Sequence, residues 1–550
     1  MVIKKLFFLF TLLILGACAS KMKDQLKEYR EAYSRGEFEK AKRIFDNSVF
    51  KDDKKSILLW KLEQGTLALA MDNEDLAIQE FQEALDLIDK LYTTSLSSKT
   101  ASFLINDMSD DFYGASYERS YAHYFLAKSL YQRYQKTGNK LDLQGARGTI
   151  LAWDSFFTDL QRSASKKTLY STDLMLKIFG AQIHEASEIK NDLQIALQLY
   201  KDALGILKTQ GGIYSVFNKK NTDYIKSYEN EGKLPPQKLF EPTLMEEDLK
   251  EFIQFKILSL TKEVRGSDFD NQVKALGAKE EIVKEAKKGK GNVVLVLEEG
   301  LIPQKVGKPF NFGLKGAVNA VDNPGAKSFI AGVGAEVVTA FAMNKLGMIP
   351  EKTASPGSFV FAHSVTKLAV TEAAVEFELP MIENVPLVQR LGFFILDENG
   401  VVKKKGNLPV ISENGDIARV VLEEDVVSRY IKTGTRVATK HLVAIVAAMK
   451  VYQSLNKGND SGDFLAKTAA MATYVGASKG IAAMEKADIR AWNTLPQAFR
   501  MTEVKLPPGK YQLALGIYDG NNFPTTPSKI VGKFEVLGKE KNLHIFKFNP

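Results

Sequence analysis

The chain has 550 residues, a formal charge of +8 from 74 basic and 66 acidic side chains, and 45% apolar residues. That balance is ordinary for folded protein and long enough for at least two globular regions, which excludes a disordered or fibrous chain. The basic excess sits partly in short runs, "KEAKKGKG" (Lys284 to Gly291) and "KKKG" (Lys403 to Gly406), with no aromatic residues interleaved, so nucleic-acid binding is not expected.

The first residues, "MVIKKLFFLFTLLILGACAS", place Lys4 and Lys5 before an apolar core from Leu6 to Leu15 and then small residues. That layout predicts a secretory signal over residues 1–17, too short for an ordinary membrane span. The ending "LGAC" resembles a bacterial lipobox, which implies cleavage before Cys18 and lipidation of its thiol. Cys18 is the only cysteine in the chain. A lipidated Cys18 leaves no free thiol, so disulfides, cysteine nucleophiles and cysteine metal sites are not expected. Multiple acyl chains give stable anchoring. Ala19, where the familiar inner-membrane retention signal has Asp, favours the outer membrane.

Residues 18–262 read as a helical array. In "KEYREAYSRGEFEKAKRIFDNS" the order Tyr33, Gly36, Phe38, Ala41 and Phe45 resembles the second part of a tetratricopeptide repeat. "LEQGTLALAMDNEDLAIQEFQEALDLID" places Gly65, Ala77, Phe81 and Ala84 at similar offsets, and "NDLQIALQLYKDALGIL" offers Ala196, Tyr200 and Ala203. Ala41 and Ala77 stand about one repeat of ~34 residues apart. Between these copies, "YAHYFLAKSLYQRYQKTGNKLDLQGARGTILAWDSFF" predicts another helix pair with Gly138 in its turn. Such arrays form concave partner-binding surfaces. Tyr33, Phe38, Tyr117, Tyr121 and His123 are the candidate partner-binding residues, although His123 and His184 fit helical patterns as ordinary helix residues. "GGIYSVFNKKN" and "GKLPPQKLFEPT" mark loops, "LMEEDLKEFIQFKILSLTKEV" a last helix, and residues 263–290 a charged linker.

Residues 291–550 read as a mixed α+β region. "GNVVLVLEEGLIPQKVGKPFNF" predicts a hairpin turning at Glu299-Gly300, with further strands in "SFVFAHSV", "AAVEFELP" and "RLGFFILDENG". Three apolar stretches rich in small residues lie among them: "FIAGVGAEVVTAFAMNKLG", "TRVATKHLVAIVAAMKVYQSL" and "DFLAKTAAMATYVGASKGIAAMEKAD". Glu336 interrupts the first, and Lys440, His441, Lys450, Lys467 and Lys479 interrupt the others. They are expected as buried helices, with insertion into a bilayer as the alternative. His363 and His441 have no partner at metal-ligand spacing, and neither a metal nor a cofactor is expected.

"GASKG" (Gly476 to Gly480) matches the G-x-S-x-G nucleophile elbow, with Asp488 and His544 following in hydrolase order. The elbow requires a sharp strand-to-helix turn, whereas "FLAKTAAMATYV" ahead of it predicts a helix with Ser478 in its middle. In the following "EKADIRAWNTLPQAFRMTEVKLPPGKYQLAL", "EKADIRAW" is expected to prolong that helix up to Pro496. "RMTEVKL", the Pro507-Pro508-Gly509 turn and "KYQLALGIYDG" then alternate as strands. "SKIVGKFEVLG" and "KNLHIFKFN" complete an expected antiparallel C-terminal β-meander. Asp488, Arg490, Trp492 and Pro496 read as a structural junction between helix and sheet, with no nucleophile or metal set beside them.

The lipobox, "YERSYAHYFLAKSLY", "VVLVLEEGLIPQK" and "ADIRAWNTLP…LPPGKYQL" together resemble an uncharacterised family of bacterial tetratricopeptide-containing lipoproteins. "GARGTILAWDSFF" departs from the repeat pattern. The resemblance implies architecture and address without a reaction: a lipid-anchored, periplasm-facing protein of the outer membrane. The expected function is a non-enzymatic scaffold for envelope proteins or peptidoglycan machinery, in cell-wall or surface-structure assembly. The alternative is an envelope hydrolase using Ser478, or a transferase using Asp488 and Arg490.

Overall fold

The computed structural model describes residues 24–48, 50–95, 110–163, 170–187, 189–208, 242–312, 375–383, 390–424, 450–455, 460–519, 522–538 and 541–549, with single positions 385, 387, 433, 436, 437, 440, 444, 447 and 448. The signal and Cys18, the two loops before the last array helix, "FIAGVGAEVVTAFAMNKLG", "SFVFAHSV", His363 and His441 lie outside the described residues.

The chain is α+β. Eleven of its described helices precede the first strand: α1 (24–34), α2 (Phe38–Asp46), α3 (Ile57–Ala70), α4 (Glu74–Ser95), α5 (Ser116–Thr137), α6 (Lys140–Ser163), α7 (Leu174–Glu185), α8 (Lys190–Lys208), α9 (Pro242–Val264), α10 (Phe269–Leu276) and α11 (Glu280–Lys287). Successive helices pack as neighbours from α3 to α8, and α9 lies against α8. Small residues permit the close approaches. A Cβ added at Gly65 on α3 would stand 2.6 Å from the Phe81 ring on α4, and one at Gly180 on α7 would stand 2.7 Å from Ile150 on α6. Gly138 ends α5 in the left-handed region (φ +71°), the geometry that favours glycine there. Residues 263–290, expected as a charged linker, carry α10 and α11. Their apolar sides, Phe269 and Ala286, pack on Leu258 of α9.

Among the described residues ten strands follow: β1 (Val293–Glu299), β2 (Lys305–Phe312), β3 (Val375–Ile382), β4 (Leu391–Asp397), β5 (Val402–Asn407), β6 (Val410–Glu413), β7 (Ala498–Val504), β8 (Gly509–Ile517), β9 (Lys529–Val536) and β10 (Asn542–Phe548). α12 (Asn414–Glu424) and α13 (Asp460–Met484) lie between β6 and β7. One sheet runs β10-β1-β7-β6, a second β5-β4-β8-β9, and β2 pairs with β3.

Several expected pairings are corrected by this topology. β1 and β2 do not form a hairpin, because β1 is central to its sheet, parallel to β10 and antiparallel to β7. The Pro507-Pro508-Gly509 turn carries the chain from one sheet to the other, so β7 and β8 are not partners. Of the expected C-terminal meander, only β8 and β9 pair with each other. Turn residues mark where a strand reverses, while its partner depends on which face must be buried.

The result is three layers. One face of the β10-β1-β7-β6 sheet, with Val294, Val296, Phe499, Met501 and Leu543, joins the core of the helical array. The other face, with Val293, Leu295, Leu297 and Phe546, packs on Leu391, Phe393, Ile395 and Leu513 of the second sheet. A strand buried on both faces reads as an unbroken apolar run, which is why "VVLVLEE" does not alternate.

Candidate functional site

The stretch from Glu485 to Gln497 joins α13 to β7. It is not helical: α13 ends at Met484, which corrects the expectation that "EKADIRAW" prolongs it. The reason lies in the partners offered from elsewhere. The Glu485 carboxylate is buried between Arg436 (2.9 Å) and Lys440 (2.5 Å). Asp488 accepts from the Arg490 backbone N–H at 3.0 Å and from its guanidinium at 2.7 and 2.9 Å. Arg490 also reaches the Asp110 carbonyl at 3.0 Å. Burial pushes the Asp488 carboxyl up, but the Arg490 hydrogen bonds and the charge of Lys305 outweigh it and hold the group below its ordinary value.

The next residues thread into the array. Trp492 is fully buried between Phe81 of α4 and Phe125 of α5, and its backbone N–H donates to Glu118 at 2.6 Å. The Asn493 N–H and amide donate to Glu63 of α3, at 2.6 and 3.2 Å, and the Thr494 hydroxyl donates to the same carboxylate at 2.5 Å. Arg30 of α1 clasps the Asn493 carbonyl and the Ile302 carbonyl, both at 2.7 Å. Extended backbone has no partners of its own, so side chains of the array supply the hydrogen bonds a helix or sheet would have made. Burial raises the Glu63 and Glu118 carboxyls above their ordinary value despite these donors.

Two further polar knots cross from array to sheet. Glu298 on β1 takes the Lys128 ammonium at 2.6 Å and the Tyr124 hydroxyl at 3.1 Å, both from α5. Glu185 on α7, Lys256 on α9, Glu503 on β7 and Lys541 ahead of β10 form a charge-balanced cluster whose side chains are almost wholly buried. Burial raises the Glu185 carboxyl, and the two ammonium groups overcome it, leaving the group well below the carboxylate range.

These contacts decide where each candidate residue falls. Tyr33, Tyr117, Tyr121 and His123, expected on a partner-binding surface, are buried within this chain. Tyr33 receives the Lys547 ammonium at 2.7 Å and packs edge-on to the half-buried Phe38. The Tyr121 hydroxyl sits 3.1 Å from Asp173 and 2.8 Å from Ser412 on β6. His123 is pushed down to about 4 by burial, against the Phe156 ring. Asp488, Arg490 and Trp492 are brought together at the junction, and Pro496 gives its carbonyl to Asn414. Ser478 lies within α13, as its context predicts, so no strand leads into it. His544 is on β10, against the Phe534 ring. Among the described residues no group of three or more His, Cys, Asp or Glu is arranged to hold a metal.

A cleft of about 270 Å³ opens on the solvent side of the junction, walled by Tyr113, Tyr117, Lys305, Leu422, Asp488 and Arg490 among others. A second, of about 240 Å³, lies beside Tyr33, Phe38, Glu298 and Lys547. Sequence reading missed Glu63, Glu118, Glu185, Lys256 and Glu298. Three of them carried a signal, one or two charges set into an apolar run: "ILLWKLEQG", "FIQFKILSL" and "VVLVLEE".

Comparison of the chain with protein-family models, with curated proteins and with solved structures finds no match.

Proposed function

We propose that this protein is a lipid-anchored scaffold of the cell envelope whose tetratricopeptide-like helices present a rigid outer surface to partner proteins of wall or surface-structure assembly. The observation that carries this reading is the way the chain uses its own array. The inner side of the helices is filled by the chain's own sheet and by residues 491–497, through the Glu63, Glu118 and Glu298 contacts. The array is thereby stiffened, and the surfaces it leaves for another protein are its outer face and the junction cleft. On the outer face Leu141 and Leu151 of α6 are 72% and 70% exposed. Rigid arrays of paired helices serve to present extended binding surfaces. Anchoring through Cys18 supplies the address.

The test is crosslinked co-purification from native membranes, with partners identified by mass spectrometry, comparing the intact chain with surface variants that leave the core untouched. Loss of a partner in Leu141→Asp/Leu151→Asp assigns docking to the outer face. Loss in Asp111→Lys, a change on the wall of the junction cleft, assigns it to the cleft. A wild-type chain that captures no specific partner overturns the scaffold reading and makes Ser478→Ala the next variant to examine.

A further inference from the structure

We infer that the cleft of about 240 Å³ beside Tyr33 is a binding site for a carboxylate with an apolar body, held by the ammonium group of Lys547. The inference goes beyond the scaffold reading and stands on the charge balance of the array seam. Two knots of ammonium and carboxylate cross that seam. In one, Lys256 and Lys541 meet Glu185 and Glu503, two charges against two. In the other, Lys128 and Lys547 flank Glu298 alone. Lys128 forms the ion pair, at 2.6 Å, and both of its side chains are sealed from solvent. Lys547 stands opposite Glu298 in the β1–β10 register, yet its hydrogen bond goes to the neutral Tyr33 hydroxyl at 2.7 Å. Among the described residues, Glu298 and Asp72 act on Lys547 through space without forming an ion pair. The surrounding protein strips enough water from the ammonium to outweigh them and hold it below its ordinary value. The side chain nevertheless stays open to solvent, on the wall of the cleft.

The lining selects the class of ligand. Its other charged groups, Arg35 and Glu298, already have partners in Glu31, at 3.4 Å, and Lys128. The cleft is left with one uncompensated positive charge, which favours a monoanion and disfavours a cation. Its two glycines spend their backbone N–H groups within the chain, Gly36 on the Tyr33 carbonyl and Gly300 on that of Phe548. No amide cradle for a multiply charged phosphate is built from them. The Tyr33 and Phe38 rings face the ammonium, with centroids 4.8 and 5.4 Å from it, and Leu301 and Pro496 extend the apolar wall. An ammonium has three donors, and Tyr33 accepts one. A carboxylate can take the other two while its apolar body lies on that wall. The second knot then stands at two charges against two, like the first.

The experiment is titration calorimetry of the full chain with N-acetyl-phenylalanine and, as its uncharged match, N-acetyl-phenylalanine amide. The acid is expected to bind about tenfold or more tightly than the amide, as a charge-assisted hydrogen bond demands. Lys547→Met, which keeps the side-chain length and deletes the charge, removes that preference, and Lys547→Arg keeps it. Phe38→Ala weakens acid and amide alike, because it strips the wall and leaves the charge. The tripeptide Ala-Ala-Phe separates two sources of the same chemistry. Tighter binding than the acetylated residue assigns the cleft to a peptide C-terminus, and equal binding assigns it to a free acid. The inference is overturned if the wild-type chain binds acid and amide equally, if it binds neither, or if Lys547→Met retains the preference. Loss of the folded near-ultraviolet circular dichroism in Lys547→Met overturns it too, because the ammonium would then serve the fold and not a ligand. None of these outcomes bears on the scaffold reading, which stands or falls on capture of a partner protein.

Discussion

The two faces of the β10-β1-β7-β6 sheet have the same strands and opposite chemistry. Toward the second sheet, β1 presents Val293, Leu295 and Leu297 to an apolar core, with one ion pair, Arg500 to Glu299 at 2.5 Å, near the strand's end. Toward the array it presents Val294, Val296 and Glu298, and its neighbours add Glu503 and Lys547. An apolar seam is stabilised by area and tolerates sliding. A buried charge tolerates only the arrangement that satisfies it, which favours specificity over stability. The sandwich seam therefore supplies cohesion, while the array seam fixes which helix meets which strand.

Removing one side of the array seam altogether has the largest expected effect. A chain lacking residues 24–262 exposes Val294, Val296, Phe499 and Met501 and leaves Glu298 and Glu503 without Lys128 and Lys256. It is expected to lose cooperative folding, checked by near-ultraviolet circular dichroism and thermal unfolding. A sharp transition in that deletion would break the comparison.

Next comes a double-mutant cycle at each seam. Lys128→Ala strands Glu298 in the interior and costs ~3–5 kcal/mol, measured by denaturant unfolding. Lys128→Met with Glu298→Leu costs less than the single change, because no charge is left unpaired. At the apolar seam, Leu295→Ala and Leu513→Ala each cost ~2–5 kcal/mol and the double change costs more than either. Equal behaviour at the two seams would remove the distinction.

Trp492 allows a finer division. Its ring fills the space between Phe81 and Phe125, whereas its indole Nε1 has no hydrogen-bond partner among the described residues. Trp492→Ala is expected to cost ~3–5 kcal/mol by cavity formation. Trp492→Phe, which deletes an unsatisfied donor along with some volume, costs about 1–2 kcal/mol. A Phe variant as unstable as the Ala variant would mean that the N–H matters.

How far the sequence announces this structure depends on the range of the interactions. The array helices were legible because Gly65, Ala77, Phe81 and Gly138 act through neighbours on the same or the next helix. The junction was not. "EKADIRAW" has helical character locally, and what unwinds it is a set of partners hundreds of residues away, Glu63 and Glu118 among them. Strand existence was likewise legible in "VVLVLEE" and "KYQLAL", but pairing was not, because Val293 lies opposite Asn542. The aromatic residues proposed for partner binding show the same limit. A Tyr on a repeat helix looks identical in sequence whether it meets a partner or the chain's own sheet, and Tyr121 meets Ser412.

The smallest net effect, and the most diagnostic, is the response to acid, because Asp173 of the array and His544 at the sandwich seam titrate with opposite sign. At the array seam, burial raises Asp173 to about 6 although Tyr170, the Met175 N–H and Tyr121 all bond it. A raised carboxyl stabilises the fold fully below its unfolded value near 3.8, and that stability is lost as pH rises through about 6. At the sandwich seam, burial lowers His544 to about 4 from 6.5, so its contribution is present above 6.5 and lost as pH falls through about 4. Between pH 6 and 4 the two slopes oppose each other, each bounded at ~3 kcal/mol across its range. Asp173→Asn keeps the helix cap and removes one slope, so stability should fall more steeply on acidification than in the wild type. His544→Leu removes the other, so the fall should flatten or reverse. Denaturant midpoints taken at half-unit steps from pH 4 to 7 read both. Parallel profiles for the two variants would show that Asp173 and His544 do not oppose each other, and the division of labour between cohesion and specificity would have to rest on packing and on the buried ion pairs alone.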